Sequence, residues 1–234
     1  MGGLCFQTGP VPLNTPRMPP DVYRTVRDSL KAKLQSLFAV VASPIEGPAK
    51  KSFGDIDILV AWVDQSIDFQ SNTQSIWAVI CQTIRAVAIK REQPAVASLA
   101  VAWPEALLPL DQQIPAPEIY IQVDIQICST IDQLNFMLFK HSHGDIWNLL
   151  GSTIRPVGLT IDEVGLYVRI PEIEHLNRKA SKILLTTEPV EILNFLGLKS
   201  DGTQWQKPFE TEQELYEYAM TCRLFWGPTY DGRP

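Results

Sequence analysis

The chain has 234 residues, of which 45% are apolar and 20% are charged, and its net charge is −6. This composition is typical of a globular protein, and no apolar run is long enough to span a bilayer, so we expect no membrane partner. The negative charge argues against a protein that coats nucleic acid by neutralising its phosphates. Four scattered cysteines without a Cys-x-x-Cys pair argue against a zinc site and indicate reduced thiols in an intracellular protein, cytoplasmic or nuclear.

The first half of the chain predicts an arm followed by alternating helices and strands. Residues 1–20 are rich in Pro and Gly, which indicates an extended arm that lies on the body or is loose in solvent. After Pro19-Pro20-Asp21, an apolar face at helical spacing predicts a helix: Val22, Val26, Leu30, Leu34 and Phe38. A short strand is predicted at residues 40–43, a helix from about Thr73 to Lys90, and a strand at 95–103.

The clearest strand of the sequence runs from Glu118 to Cys128 and alternates strictly between apolar and polar residues. One face of this strand is apolar: Ile119, Ile121, Val123, Ile125 and Ile127. The other face is polar: Tyr120, Gln122, Asp124 and Gln126. Because side chains alternate along a strand, we expect the apolar face to pack on helices and the polar face to line a cleft.

The second half of the chain predicts mostly helices. Ser129 is predicted to cap a helix that runs to about Lys140, and a shorter helix is predicted from Asp145 to Ile154. Residues 159–170 predict a hairpin that turns near Glu163–Gly165. Two further helices are predicted to begin at Thr187-Glu188-Pro189 and at Thr211, the first of them ending at Gly197.

Three acids stand on two of the predicted strands. Asp55 and Asp57 open an apolar strand that ends near Asp64, point to the same side and lie roughly 6.6 Å apart along the backbone, and Asp124 lies in the middle of the later strand. Carboxylates are costly on buried strands unless they are paired or bind a metal. The pattern therefore predicts a site for one or two Mg²⁺ or Mn²⁺ ions, of the kind used in phosphoryl and nucleotidyl transfer.

Two other interpretations of these acids stay open. The first is structural: the carboxylates face solvent at strand ends and pair with Lys50, Lys51 or Arg155. The second is a metal-dependent glycosyltransferase that acts on nucleotide sugars, because those enzymes also hold a metal with an Asp-x-Asp pair. Gly54 before the pair and the third acid on a later strand favour nucleotidyl transfer.

The segment Gly54-Asp55-Ile56-Asp57-Ile58-Leu59 resembles the metal motif of the polymerase beta-like nucleotidyltransferase superfamily, in particular its family X DNA polymerase branch. Phe139-Lys140-His141-Ser142, followed by Asn148 and Arg155, is similar to the Phe-x-Gly-Ser…Asn…Arg segment of that branch. Gly158-Leu159-Thr160 and the segment from Thr187 to Leu198 are similar to parts of its thumb. In the expected order, these matches cover roughly residues 40 to 200.

The resemblance implies an α/β (α+β) fold, in which a palm with a mixed, mostly antiparallel sheet precedes a small thumb-like lobe. The chain is thereby divided into an arm at 1–20, a palm at 21–169 and a thumb-like lobe at 170–234. One interpretation is that the lobe is truncated at its end. The implied reaction moves a nucleoside monophosphate from a nucleoside triphosphate to an acceptor hydroxyl, and the sequence leaves the acceptor open among RNA, DNA, protein and small molecules. Asp55, Asp57 and Asp124 would be the catalytic and metal-binding residues.

Nucleotide contacts are expected from six residues: Lys50, Lys51, His141, Ser142, Asn148 and Arg155. The sequence departs from the family pattern at two of the implied phosphate contacts. No Gly-Ser precedes the first Asp, where Lys50 and Lys51 could supply compensating charge, and His141 replaces the Gly of the later Gly-Ser. The helix-hairpin-helix lobe of family X is also missing. These departures support an alternative, namely a catalytically inert member of the same fold that binds a nucleotide or a protein partner.

Overall fold

The computed structural model describes residues 3–8, 11–62, 69–108, 118–200 and 205–225. Internal contacts divide the chain into two units. Unit 1 comprises Met1–Ser43 and Lys50–Leu134, and unit 2 comprises Pro44–Ala49 and Asn135–Pro234. The predicted boundary between residues 169 and 170 falls inside unit 2, because the helices that follow Asn135 share a hydrophobic core with the C-terminal helices.

Unit 1 contains a five-stranded sheet in the order β1-β2-β5-β4-β3. Strand β5 pairs parallel with β2, and the other neighbours are antiparallel, so the predicted mixed, mostly antiparallel sheet is confirmed. The elements in chain order are α1 (Pro20–Leu34), β1 (Val40–Ala42), β2 (Asp55–Ala61), α2 (Phe69–Ile84), β3 (Ala86–Gln93), β4 (Val96–Ala102) and β5 (Tyr120–Cys128).

The core of unit 1 lies on one face of this sheet, together with α1 and α2. Strand β5 buries the face that the alternation predicts, because its apolar side chains from Ile119 to Ile127 are all at most 8% exposed. The predicted apolar face of α1 is buried as well, including Leu34. With one face of the sheet committed to the core, every second residue of β2 and β5 must point to the other face, which fixes where their polar side chains lie.

Unit 2 combines helices with a second, three-stranded antiparallel sheet in the order β6-β7-β8. Its core is rich in aromatic side chains, among them Phe139, Trp147 and Trp205. Helix α3 (Ile131–His141) connects the two units, and the further elements are α4 (Ile146–Ile154), β6 (Leu159–Ile161), β7 (Leu166–Arg169), α5 (Pro171–Glu174), β8 (Lys182–Thr186), α6 (Pro189–Leu196) and α7 (Glu212–Met220). Among the described helices, none has both the length and the apolarity needed to cross a membrane.

The structure corrects three details of the sequence prediction. The helix expected to reach Lys90 ends at Ile84, and the residues that follow form β3. The cap of α3 is Thr130 rather than Ser129, because the Thr130 hydroxyl accepts a hydrogen bond from the Gln133 N–H. Elements α5 and β8 were not predicted, and the predicted strand end at Asp64 lies outside the described residues.

Candidate functional site

The parallel pairing of β2 and β5 brings the three predicted acids to one face of the sheet. Asp57 is the register partner of Asp124, and Asp55 is the partner of Gln122. Paired residues on neighbouring strands point to the same side and lie about 5 Å apart at their Cα atoms. We call this the acidic face; Asp55 and Asp124 are half-buried on it, and Asp57 is exposed.

Asp124 is held by hydrogen bonds from two uncharged side chains. The amide nitrogen Nε2 of Gln122 donates to both carboxylate oxygens at 3.0 Å. The second donor is the hydroxyl of Ser98, the register partner of Asp124 on β4. These bonds orient the carboxylate without neutralising its charge.

The electrostatic surroundings of Asp124 oppose its ionisation. Burial is the largest effect and raises the pKa of Asp124 above its ordinary value, and the negative charges of Asp55 and Glu92 raise it further. The hydrogen bonds from Ser98 and Gln122 act in the opposite direction and lower the pKa. A cation that binds beside Asp124 would favour its ionised form, because the cation offsets the repulsion from the neighbouring acids.

The donors on the acidic face are chemically suited to a hard divalent cation, since all three acids offer carboxylate oxygens. As the side chains stand, however, no group of three or more His, Cys, Asp or Glu residues in the described part of the chain is close enough together to hold a metal ion. The predicted convergence of Asp55, Asp57 and Asp124 on a shared ion therefore stays a prediction.

Lys50 and Lys51 are exposed in the loop that enters β2. The Lys50 ammonium lies 5.4 Å from the centre of the Phe53 ring, which stacks on Tyr23 at 3.9 Å. Lys50 thus lies beside an aromatic pair of unit 1, and both lysines are near in sequence to Asp55 on the same unit.

The other four predicted nucleotide contacts belong to unit 2. Ser142 is buried, and its hydroxyl oxygen accepts a hydrogen bond from the Ile45 N–H at 3.0 Å. His141, Asn148 and Arg155 are exposed. Asn148 donates to Asp145 at 2.9 Å, and the main-chain carbonyl of Arg155 accepts from the Arg169 guanidinium at 2.7 Å. The hydroxyl of Ser142 is thus bonded within unit 2, and the other three polar side chains lie on the surface of that unit.

The sequence analysis missed two residues that organise these regions. Gln122 is 4% exposed and contacts Asp124. Its position two residues before Asp124 on the polar face of the strand could have indicated this contact from the sequence. His143 is fully buried with a left-handed backbone (φ +64°), donates its N–H to the Ile45 carbonyl at 2.6 Å, and bonds the Trp205 carbonyl through Nε2 at 2.7 Å.

Comparisons with known proteins identify the fold. No protein-family model and no curated protein matches the chain. The chain is similar to the polymerase beta of Leishmania infantum in two solved structures. Its ternary gap complex has a TM-score of 0.52 and 12% identity, over 81% of this chain and 71% of that chain. Its ternary P/T complex has a TM-score of 0.52 and 13% identity, over 80% and 76%.

The class of fold that the chain shares with these structures is a mixed α/β fold. More particularly, the chain has a polymerase beta-like fold, as the resemblance of its motifs predicted. At this level of identity the similarity establishes the architecture, while activity must be argued from the residues of the chain.

Proposed function

We propose that the chain is a metal-dependent nucleotidyltransferase, which moves a nucleoside monophosphate from a nucleoside triphosphate to an acceptor hydroxyl. The observation that carries this proposal is the register of β2 and β5, in which Asp57 stands beside Asp124 and Asp55 lies on the same face. In a polymerase beta-like fold, three carboxylates on one face of the sheet support this proposal, because they repel one another at a cost that a purely structural role does not require.

In this proposal Asp55, Asp57 and Asp124 would hold Mg²⁺ or Mn²⁺. When bound, such an ion would supply positive charge that stabilises the transferring phosphoryl group. Asp124 would lie nearest the acceptor hydroxyl, and would act as its general base or hold the metal that activates it. The nucleotide contacts are assigned to the six residues named from the sequence: Lys50, Lys51, His141, Ser142, Asn148 and Arg155.

A second candidate is a catalytically inert member of the same fold that binds a nucleotide or a partner. Two observations favour it: the loop before β2 has no Gly-Ser, and the acids of the described residues do not converge as they stand. The two candidates differ in whether the cation and the nucleotide produce turnover, so they can be separated experimentally.

The first experiment measures the melting temperature with each nucleoside triphosphate, with and without Mg²⁺ or Mn²⁺. A Mg²⁺-dependent rise is expected, because a ligand that binds only the folded chain stabilises it. No shift with any triphosphate would favour the inert candidate if transfer is also absent. A shift with nucleotide sugars alone would indicate a glycosyltransferase instead.

The second experiment measures transfer of a labelled nucleotide to total RNA, DNA, protein and small-molecule acceptors. Asp57→Asn and Asp124→Asn are expected to abolish transfer with the fold retained, because each replaces a carboxylate by an amide of nearly equal volume. Asp132→Asn, which changes an exposed acid in the first turn of α3, is the matched control and should leave transfer unchanged. Full transfer by either site variant would contradict the assignment of the acids.

A further inference from the structure

The described residues of the N-terminal arm before α1, 3–8 and 11–18, are built into unit 1. The last part of the arm forms two bridges with the sheet region: Met18 and Phe53 exchange backbone hydrogen bonds of 2.7 and 2.9 Å, and Tyr120 donates its N–H to the Asn14 carbonyl at 2.9 Å. Phe6 and Met18 are buried. Specific contacts thus hold these described arm residues on unit 1.

The tip of the arm folds back on the arm itself. The Thr15 hydroxyl donates to the Gly3 carbonyl at 2.7 Å, and the Leu13 N–H donates to the Phe6 carbonyl at 2.9 Å. Gly3 has a left-handed backbone (φ +82°) and packs against Gly54, so closely that an added Cβ would lie 2.3 Å from the Gly54 carbonyl oxygen. These contacts place the tip beside the residue that precedes Asp55.

From this position the tip reaches the acidic face. The main-chain N–H of Cys5 donates to the amide oxygen Oε1 of Gln122 at 3.0 Å. Lys90, on the edge strand β3, donates to the carbonyls of Cys5 and Thr8 and lies 5.2 Å from the Phe6 ring centre. Three separate arm residues are therefore engaged by side chains of the sheet.

The bond from Cys5 fixes which way the Gln122 amide points. An N–H can only donate, so the oxygen of the amide must face Cys5, and the NH₂ must then face Asp124. Gln122 in turn donates to both oxygens of Asp124. Because a carboxylate has about four lone-pair positions, these bonds and the one from Ser98 determine which remain available to a ligand.

We propose that the N-terminal arm is a positioning device for the acidic face: the Cys5 N–H orients Gln122, and Gln122 orients the carboxylate of Asp124 for nucleotidyl transfer. This inference rests on the proposed function, since it assigns Gln122 and the Cys5 main chain to the support of the same site. The arm thereby completes the site instead of blocking it.

The contact itself can be tested without activity, by hydrogen exchange of individual amides in the full chain. Gln122→Leu removes the acceptor of the Cys5 N–H, so exchange of the Cys5 amide should accelerate about tenfold, the effect of losing one net hydrogen bond. The Leu13 amide, which donates to Phe6, should keep its rate. Gln122→Glu retains an oxygen for Cys5 and should preserve the slow exchange. Unchanged Cys5 exchange in Gln122→Leu would overturn the proposed contact.

The positioning role is tested by transfer kinetics on the same variants. Both Gln122→Leu and Gln122→Glu lose the donor to Asp124 and should lower kcat roughly ten- to a hundredfold, the usual effect of removing a group that orients a ligand of the metal. The KM for the nucleoside triphosphate should change little. Gln126→Leu, on the same face of β5 and two residues further along, is the matched control and should keep the wild-type kcat.

The exchange rates test the contact between Cys5 and Gln122, and the kinetics test the positioning role of Gln122 separately. Equal kcat in wild type and both Gln122 variants would overturn the positioning role, even with the contact confirmed. Deletion of residues 2–8 should lower kcat as Gln122→Leu does, and a rise in kcat would overturn the proposal by making the arm an obstacle. A wild-type chain without transfer would count against the proposed function, and the exchange rates would still decide the contact.

Discussion

The buried imidazole of His143 should make unit 2 sensitive to acid. Its Nε2 bonds the Trp205 carbonyl, which requires a proton on Nε2, so the neutral ring carries none on Nδ1, and Nδ1 has no hydrogen-bond partner within the described residues. The ring is enclosed by Trp205 and Phe209, whose centres lie 4.9 Å away. Burial lowers the pKa of His143, and the bond to Trp205 only partly opposes this. Protonation would thus place an unpaired charge in an aromatic core.

The size of the effect follows from proton linkage. As the pH falls from 7.5 to 5.5, the unfolded chain binds a proton at this position with an ordinary pKa near 6.5, while the folded chain, in which the pKa is lowered, binds less. The contribution of the neutral His143 ring to the free energy of unfolding is therefore fully present above pH 7.5. It is lost as the pH falls from 6.5 towards the lowered pKa of the folded chain. Between the two pH values the upper limit is about 1.4 kcal/mol, or roughly 3–6 °C in melting temperature.

The assay is the melting temperature at pH 7.5 and 5.5, monitored by the fluorescence of Trp205, which lies beside the ring, and of Trp147, which contacts Trp205. His143→Asn removes the titrating group and tolerates the left-handed backbone, so it should melt lower at both values but lose less between them. His175→Asn changes an exposed ring and should respond as the wild type does. An equal fall in melting temperature between pH 7.5 and 5.5 in His143→Asn and in the wild type would refute the role of His143. NMR titration of the wild-type ring, expected to give a midpoint below the ordinary pKa near 6.5, checks it independently.

Three further predictions concern unit 2. The first compares two glycines by denaturant unfolding. Gly151→Ala should raise the free energy of unfolding by about 0.5–1 kcal/mol, because it lies inside α4 with nothing within 4 Å of the new Cβ. Gly165→Ala should lower it by roughly 1–3 kcal/mol, because its Cβ would lie 2.5 Å from the Thr186 carbonyl oxygen. Trp205→Ala should cost about 3–5 kcal/mol by the same measurement, because its ring joins the aromatic core. Thr211→Ala should cost about 1 kcal/mol, since its hydroxyl caps α7; no change would show that this cap is dispensable.

The sequence predicts the elements whose signal is local and repeated. Strand β5 alternates over its whole length, α1 carries an apolar residue at each turn, and both form as expected. The capping signals at Pro189 and Thr211 likewise predict where α6 and α7 begin. These patterns reflect the burial of one face, which depends on the period of the element and little on its partners.

The sequence does not predict features that depend on a distant partner or on an unusual backbone. Helix α2 ends at Ile84, directly before Arg85, which has φ +58° but is not a glycine, so the apolar pattern of the sequence continues into β3 without a stop signal. His143 adopts a left-handed backbone in the same way. The contact between Cys5 and Gln122 joins residues 117 positions apart, and the Pro- and Gly-rich composition of the arm gives no sign of it.

The environment of Asp124 offers a test of whether the acidic face is kept for stability or for function. The groups that bond this carboxylate are an amide and a hydroxyl, while Asp55 and burial oppose its charge. If the role were structural, an uncharged side chain of the same shape would serve better, because Asn removes the repulsion and can still accept a bond from Gln122. We therefore expect Asp124→Asn to melt at or above the wild-type temperature at pH 7.5 while losing transfer, the pattern of a residue retained for function at a cost in stability. A marked fall in melting temperature would instead show that the fold depends on the carboxylate, and loss of transfer in that variant would then say nothing about catalysis.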